Sequence, residues 1–174
     1  MKIIIYGSQY GTAKQYAEEL SKKTDIKAVS YENIKSIDEY ETIIYIGALY
    51  AGGVLGMAKT FKKMSDCENK KIIIATVGLA DPMDSENTNN IENGMKRQLS
   101  NEIYIKADIY HLRGGIDYSK LNFPHKTMMS LLYKKAKNLS EEKKTAEVKA
   151  MIDTYNQKVN FVDFSGLENI ISKM

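Results

Sequence analysis

The chain opens with Ile3-Ile4-Ile5-Tyr6-Gly7-Ser8-Gln9-Tyr10-Gly11-Thr12-Ala13, in which an apolar run leads into a turn rich in glycine and hydroxyl groups. A continuous apolar run is typical of a buried parallel strand. A turn with two glycines lets successive backbone N–H groups converge, and a following helix adds its positive N-terminal end. The stretch therefore predicts a strand, a phosphate-binding loop and a helix; the alternative is an ordinary strand-to-helix turn.

This turn differs from the other common phosphate loops. It lacks the lysine of G-x-x-x-x-G-K-[ST] and the spacing of G-x-G-x-x-G. The first strand is followed by Gly7, Ser8 and Gln9 rather than by acidic residues, which argues against metal-dependent phosphorylation. No metal site is predicted, since Cys67 is the only cysteine and the two histidines lie apart in the sequence.

Length and composition bound the remaining possibilities. A chain of 174 residues is long enough for one domain and short for two. It contains neither an export signal pattern nor an apolar run long enough to cross a membrane, so we expect a cytoplasmic protein. The net charge is only +3, and the lysines are not interleaved with aromatic residues, so no nucleic-acid partner is expected.

Strand and helix patterns alternate along the first two thirds of the chain. Four apolar runs and a shorter edge run predict strands at Ile3–Tyr6, Ile26–Val29, Thr42–Ile46, Ile72–Val77 and Ile109–Leu112. Helical spacing lies between them, at Thr12–Lys23, Ala58–Lys63 and Asn90–Leu99. This alternation predicts an α/β fold, a doubly wound five-stranded parallel sheet with helices on both faces.

Glycines follow the ends of these predicted strands. They are Gly7, Gly11, Gly47, Gly52, Gly53, Gly78, Gly114 and Gly115. In open α/β sheets, ligands bind outside the carboxyl ends of the strands, where glycine allows a close approach of the backbone. A ligand site is therefore expected along this edge.

The pattern changes after the fifth strand. Residues 117–155 show no strand signal and predict a helical insertion within a single domain over 1–174. Its two helices are expected at His125–Leu139 and Ser140–Tyr155, the second capped by Ser140. A final helix at Gly166–Lys173 follows a capping-box pattern that begins at Ser165.

The first loop together with Gly47-Ala48-Leu49-Tyr50-Ala51-Gly52-Gly53 resembles the flavodoxin family. The resemblance implies FMN as cofactor and the strand order 2-1-3-4-5. It implies that the first loop holds the phosphate, and that loops after the third and fourth strands flank the isoalloxazine ring. The implied cofactor-binding residues are Ser8, Gln9, Tyr10, Gly11, Thr12, Ala13, Leu49, Tyr50, Ala51, Gly52, Gly53, Val77, Gly78, Leu79 and Ala80.

The resemblance is incomplete at two positions of the first loop. The family usually has threonine where this chain has Tyr10 and Ala13, so two hydroxyl contacts are missing although the backbone donors remain. In the second loop the resemblance implies that Tyr50 stacks on the flavin; a partly buried loop tyrosine is the alternative. We hypothesise that a peptide near Gly52 changes orientation with the redox state of the flavin.

The whole length resembles, more loosely, the menaquinone-dependent protoporphyrinogen dehydrogenase branch. The resemblance rests on Tyr40–Ala48, on Arg113-Gly114-Gly115 and on Val162-Asp163-Phe164. It leaves two functions open, an FMN-dependent electron carrier and a dehydrogenase that passes electrons to a quinone; a binding module without FMN is the third alternative. In the dehydrogenase, His111, Arg113 and His125 would lie near the pocket mouth, Arg113 being suited to a substrate carboxylate. No catalytic acid or base is assigned.

The two functions imply different partners: redox proteins for the electron carrier, and a quinone and porphyrinogen substrate for the dehydrogenase. A further partner is suggested by the segment 121–139. The segment carries four lysines and no acidic residue beside Met128, Leu131, Leu132, Ala136 and Leu139. Such a helix suits peripheral contact with the inner face of a membrane, a cover over the flavin edge, or packing on the domain with the lysines in solvent. The oligomeric state is not predicted.

Overall fold

A parallel sheet forms the centre of the computed structural model, which describes residues 1–174. Strands β1 to β8 are, in chain order, Lys2–Gly7, Ala28–Ser30, Thr42–Tyr50, Gly53–Val54, Lys71–Gly78, Asp108–Arg113, Gly115–Asp117 and Lys158–Asn160. Five of them form the parallel sheet in the order β2-β1-β3-β5-β6, and β4 pairs antiparallel with the end of β3. This is the predicted order 2-1-3-4-5 with β4 added to the numbering, so the predicted fold is confirmed.

Helices cover both faces of the sheet. Helices α1 to α7 are, in chain order, Thr12–Thr24, Met57–Phe61, Ser85–Gln98, Asn101–Lys106, Phe123–Lys137, Ala146–Asp153 and Leu167–Ile171. One face packs on α1 and α7 through Tyr16, Leu20 and Leu167. The other packs on α2, α3 and α4 through residues such as Met57 and Met95. The sheet is therefore doubly wound, as the sequence predicts.

The isoleucine runs explain why the strands lie at the centre. Ile43, Ile44 and Ile46 of β3 and Ile73 and Ile74 of β5 are all fully buried. Burial of one such side chain contributes about 1.5–3 kcal/mol. Because alternate residues point to opposite faces, a continuous apolar strand is stable only where helices cover both faces.

Several predicted helix boundaries are wrong. The structure has no continuous helix over Ser140–Tyr155; residues 141–143 form a 3-10 turn, and α6 begins only after Thr145, whose hydroxyl accepts from the Val148 N–H. Ser140 makes no capping bond. Likewise Asp163, not Ser165, caps the turn that leads into α7. Ser, Thr and Asp side chains can all act as N-caps, so where several lie close together the tertiary packing determines which of them caps the helix.

A two-stranded ribbon closes the base of the predicted insertion. Strands β7 and β8 pair antiparallel, with Ile116 opposite Val159. We refer to the chain between them, residues 118–157, as the insertion segment. It has a small core of Ile116, Tyr118, Leu121 and Met129. Neither β7 nor β8 is predicted from the sequence, because a strand of three residues is too short to show a period of two.

Tyr16 joins the insertion's base to the rest of the fold. Its hydroxyl donates to the Arg113 carbonyl at 2.7 Å and accepts from the Asp163 N–H at 2.9 Å. The side chain is 1 % exposed. One buried hydroxyl thus connects α1, the end of β6 and the approach to α7.

Removal of this hydroxyl should destabilise the protein. Tyr16→Phe leaves the partly buried Arg113 carbonyl and Asp163 N–H without this partner, so we expect the free energy of unfolding to fall by about 1–2 kcal/mol. Tyr118→Phe is the matched control, because the Tyr118 hydroxyl is buried without a partner. Urea unfolding of the two variants should show a loss for the first and little change or a gain for the second. Equal losses would contradict the assigned bonding.

Candidate functional site

Three loops leave the carboxyl edge of neighbouring strands. Loop 1 (residues 8–11) follows β1, loop 2 (residues 51–52) joins β3 to β4, and loop 3 (residues 79–84) follows β5. The parallel register places Gly7 beside Gly47, and Ala48 beside Val77. The predicted cofactor-binding residues therefore all lie on these loops or in the strands and helix adjoining them, at one edge of the sheet.

Ala13, in the first turn of α1, is fully buried in the core, so its side chain is inaccessible to a ligand. The side chains of Val77 and Ala80 are nearly as buried. Leu49 differs: it leans toward loop 3, so that its Cδ1 stands 2.6 Å from a Cβ built on Gly78.

Loop 1 presents unused donors at the start of α1. Gly11 has φ 95°, in the left-handed region, and its N–H donates to the Ser8 Oγ at 3.1 Å. No side chain caps the first turn of α1. The leading N–H groups of a helix have no partner within it, so those of Thr12 and Ala13 remain available, together with the Thr12 hydroxyl. This donor set suits an anion.

Loop 2 is the turn of a tight hairpin. Tyr50 pairs with Gly53, and the two residues between them, Ala51 and Gly52, have φ of 50° and 79°. Two central residues with positive φ define a type I′ turn, which matches the twist of the flanking strands. Alanine is unusual in that conformation because its Cβ is crowded there.

Helix α3 supports the hairpin from one side. The Gln98 side chain accepts from the Val54 N–H at 2.7 Å and donates to the Val54 carbonyl at 3.3 Å. The Gly52 carbonyl oxygen points toward the same helix, 3.2 Å from a Cβ built on Gly94. In this conformation the peptide implicated in the redox hypothesis therefore turns its oxygen to α3.

Loop 3 is held by two charged side chains. The N–H groups of Leu79 and Ala80 donate to the Glu147 carboxylate, at 3.4 and 3.2 Å. On the other side, the Arg113 Nε donates to the Leu79 carbonyl at 3.0 Å. Glu147 belongs to α6, so the insertion segment is bonded directly to this loop.

The insertion segment contacts loop 1, loop 3 and the strand residue that precedes loop 2. His125 Nε2 lies 3.1 Å from Gln9 Nε2 in loop 1. The Tyr50 hydroxyl beside loop 2 donates to the Met128 sulfur at 3.6 Å. Glu147 holds loop 3, as described. The segment therefore lies across the candidate site.

Tyr10 explains one departure from the flavodoxin pattern. Its ring packs on the core of the insertion segment and meets His125 edge-on, with centroids 5.8 Å apart. Its hydroxyl is buried without a partner, and this burial raises its pKa. The position that usually supplies a threonine hydroxyl is used here to anchor the insertion segment.

Basic groups flank loop 1 at this junction. A cavity of about 270 Å³ is lined by Gln9 and Tyr10 from loop 1 and by Asp117, Lys120, Leu121, Asn122 and His125. Asp117 is engaged elsewhere, since it accepts from the Ser119 N–H and hydroxyl. Lys120 and His125 are the basic side chains that line this cavity beside loop 1.

His111 and Arg113 have structural partners. Thr76 Oγ1 lies 2.8 Å from His111 Nδ1, and Glu92 Oε1 lies 3.7 Å from its Nε2. Burial lowers the pKa of this histidine, and the Glu92 carboxylate partly opposes the shift. The Arg113 guanidinium stacks 3.8 Å above the Phe161 ring in addition to bonding Leu79. Of the three residues expected near a pocket mouth, His111 and Arg113 are strand residues of β6 with the partners just described. His125 alone lies outside the sheet, and it contacts loop 1.

Three residues at the site were not predicted as binding residues. Met128 was recognised only as part of an apolar helix face, and Gln98 and Glu147 carried no motif. A single glutamate or glutamine in a helix has no distinguishing local pattern. Their roles depend on which helices the fold brings to the sheet edge.

Comparison with known proteins agrees with this architecture. Residues 3–143 match the model of a flavodoxin domain family. A candidate flavoprotein from Bacteroides uniformis ATCC 8492 is 16 % identical, with a TM-score of 0.46 over 68 % of this chain and 92 % of that one. A cysteine-to-alanine mutant of flavodoxin from Pseudomonas aeruginosa is 20 % identical, with a TM-score of 0.37 over 77 % of this chain and 95 % of that one. No curated protein sequence matches the chain.

The fold and the three loops define a flavodoxin-like α/β protein. The match over residues 3–143 then places the chain in the flavodoxin domain family. Membership of this family implies a flavin cofactor and a redox role. None of the helices has the length and apolarity needed to span a membrane.

The phosphate end of the site fits a flavin nucleotide. The uncapped first turn of α1 and the Thr12 hydroxyl supply donors that the protein does not otherwise use. Beside loop 2, the Tyr50 hydroxyl contacts Met128, and on loop 3 the Ala80 N–H contacts Glu147, both partners coming from the insertion segment.

The hairpin turn gives a test of loop 2 that needs no ligand. Gly52→Ala should lower the free energy of unfolding by about 1–2 kcal/mol, because an L side chain is unfavourable at φ 79° although its Cβ would meet no atom within 4 Å. Ala51→Gly should raise it by about 0.5–1 kcal/mol for the same reason. Ala107→Gly, at φ −75°, is the control and should be destabilising. Thermal or urea unfolding measures all three, and a loss at Ala51→Gly would rule out the strained turn.

Proposed function

We propose that the chain binds FMN and transfers electrons through it. The observation that carries the proposal is the convergence of loops 1, 2 and 3 at one sheet edge, with an uncapped helix start in the first. The N–H groups of Thr12 and Ala13 and the Thr12 hydroxyl would hold the phosphate. Tyr50 and Leu49 would contact one side of the ring, and loop 3 the other.

Bound FMN would supply one- and two-electron chemistry, and the protein would set its reduction potential by contacts and nearby charge. Gly52 can change its backbone conformation without a Cβ clash, and its carbonyl now faces α3. A reorientation of this peptide toward the ring is the redox-linked step that we assign to loop 2.

The binding test compares FMN with riboflavin, which lacks the phosphate. We expect the folded protein to quench FMN fluorescence at equimolar ratio and to bind riboflavin more weakly. Thr12→Val should weaken FMN binding about tenfold, the effect of losing a hydrogen bond to a charged group, and leave riboflavin binding unchanged. Thr24→Val, at the other end of α1, is the matched control. A folded protein that binds neither flavin would overturn the proposal.

The second candidate is a quinone-dependent dehydrogenase similar to the protoporphyrinogen branch. The outer surface of α5 favours it, because Phe123, Leu131 and Leu132 are 82, 63 and 43 % exposed. Exposed lysines flank these residues, at positions 126, 134, 135 and 137. An apolar and basic helix face complements an anionic bilayer, where quinones reside. Anaerobic mixing of the FMN-loaded protein with protoporphyrinogen and a menaquinone analogue separates this enzyme from a carrier.

Contact of α5 with anionic lipid gives its own prediction. The protein should co-sediment with vesicles containing phosphatidylglycerol at low salt and dissociate at high salt, because surface charges are screened. Replacement of Phe123 and Leu131 by serine should abolish the binding, whereas Lys62→Gln, at the residue that follows α2, should not. Absence of binding, or self-association of α5 faces without vesicles, would contradict the lipid assignment.

A further inference from the structure

Glu147 occupies donors that the candidate site needs. The N–H groups of Leu79 and Ala80 are at the edge of loop 3 that faces the insertion segment, and both donate to this one carboxylate. The pyrimidine side of a flavin ring presents neutral carbonyl oxygens as acceptors. A carboxylate is a stronger acceptor than a neutral carbonyl, so the flavin and Glu147 compete for the same pair of donors.

The helix that carries Glu147 is lightly held. Helix α6 has no fully buried side chain. It packs on α5 and on α3, and its partly buried Met151 touches the core of the insertion segment, whose buried residues belong to β7, the following turn and α5. Segments with few buried apolar contacts open at the lowest free-energy cost. Helix α6 can therefore leave loop 3 while the β7–β8 ribbon keeps the base of the segment in place.

We propose that Glu147 is a latch that closes the insertion segment over the flavin site. This inference rests on the proposed FMN binding and adds its regulation. With the latch closed, the Leu79 and Ala80 N–H groups are bonded to Glu147, and Met128 contacts the Tyr50 hydroxyl. With the latch open, the N–H groups of Leu79 and Ala80 are free to face the ring, while Met128 stays on α5 beside Tyr50. The apparent affinity for flavin is then the intrinsic affinity multiplied by the fraction of open molecules.

The charge of the Glu147 carboxylate, rather than the bulk of helix α6, determines the fraction of open molecules. Glu147→Gln preserves the size of the side chain and removes its charge, so it weakens the bonds to both N–H groups. We expect the FMN dissociation constant to fall about three- to tenfold, in keeping with the loss of charge-assisted hydrogen bonds at a half-exposed site. Glu142→Gln is the matched control, because Glu142 lies on the same segment and is exposed.

The experiment has one arm with flavin and one without. In the first, FMN titration of the wild type, Glu147→Gln and Glu142→Gln should show tighter binding only for Glu147→Gln. In the second, amide hydrogen exchange of the flavin-free proteins should show faster exchange at Leu79 and Ala80 in Glu147→Gln alone. Urea unfolding of each variant verifies that it is folded.

The two arms separate the latch from FMN binding itself. Equal or weaker FMN binding by Glu147→Gln overturns the latch, and so does unchanged exchange at Leu79 and Ala80. Failure of both the wild type and Glu147→Gln to bind FMN overturns the proposed function, and the exchange data still decide whether Glu147 holds loop 3. Binding by Glu147→Gln alone supports both.

Discussion

The fold depends on the hydrogen-bonding of β3 between β1 and β5. Its residues Ile43–Ile46 are fully buried, so helices must cover both faces of the sheet at this strand. A parallel arrangement also requires every strand to end at the same edge, since each connection crosses back over a face. Loops 1, 2 and 3 are therefore neighbours, although they are separated by tens of residues in the chain. The candidate site is a consequence of this packing requirement.

The sequence predicts this central part of the structure well for a physical reason. Runs such as Ile3–Ile5 and Ile72–Ile74 can be satisfied only in a strand buried on both faces. The glycines of loops 1 and 2 mark turns with positive φ, which local sequence also determines. The central strands and these turns could accordingly be predicted from local sequence, whereas the strand order followed from the resemblance of the loops to the flavodoxin family.

The region after β6 could not be predicted to the same degree. Strands of two or three residues, such as β4 and β8, have no visible periodicity. On α5 the sequence grouped Met128, Leu131 and Leu132 on one apolar face, whereas Leu131 and Leu132 are exposed and Met129 is buried. Which of these side chains is buried depends on tertiary contacts with Tyr10 and Tyr118, which local spacing does not encode. The same holds for Glu147, whose partners are 67 and 68 residues away in sequence.

The β7–β8 ribbon has a consequence for the history of the chain. Because Gly115 pairs with Asn160, the backbone enters and leaves the insertion segment at adjacent points. A piece of polypeptide with neighbouring ends can be gained, lengthened or replaced by a short turn without shifting β6 or α7. The ribbon thus makes the segment an exchangeable module, whose replacement would leave the register of the sheet beneath unchanged.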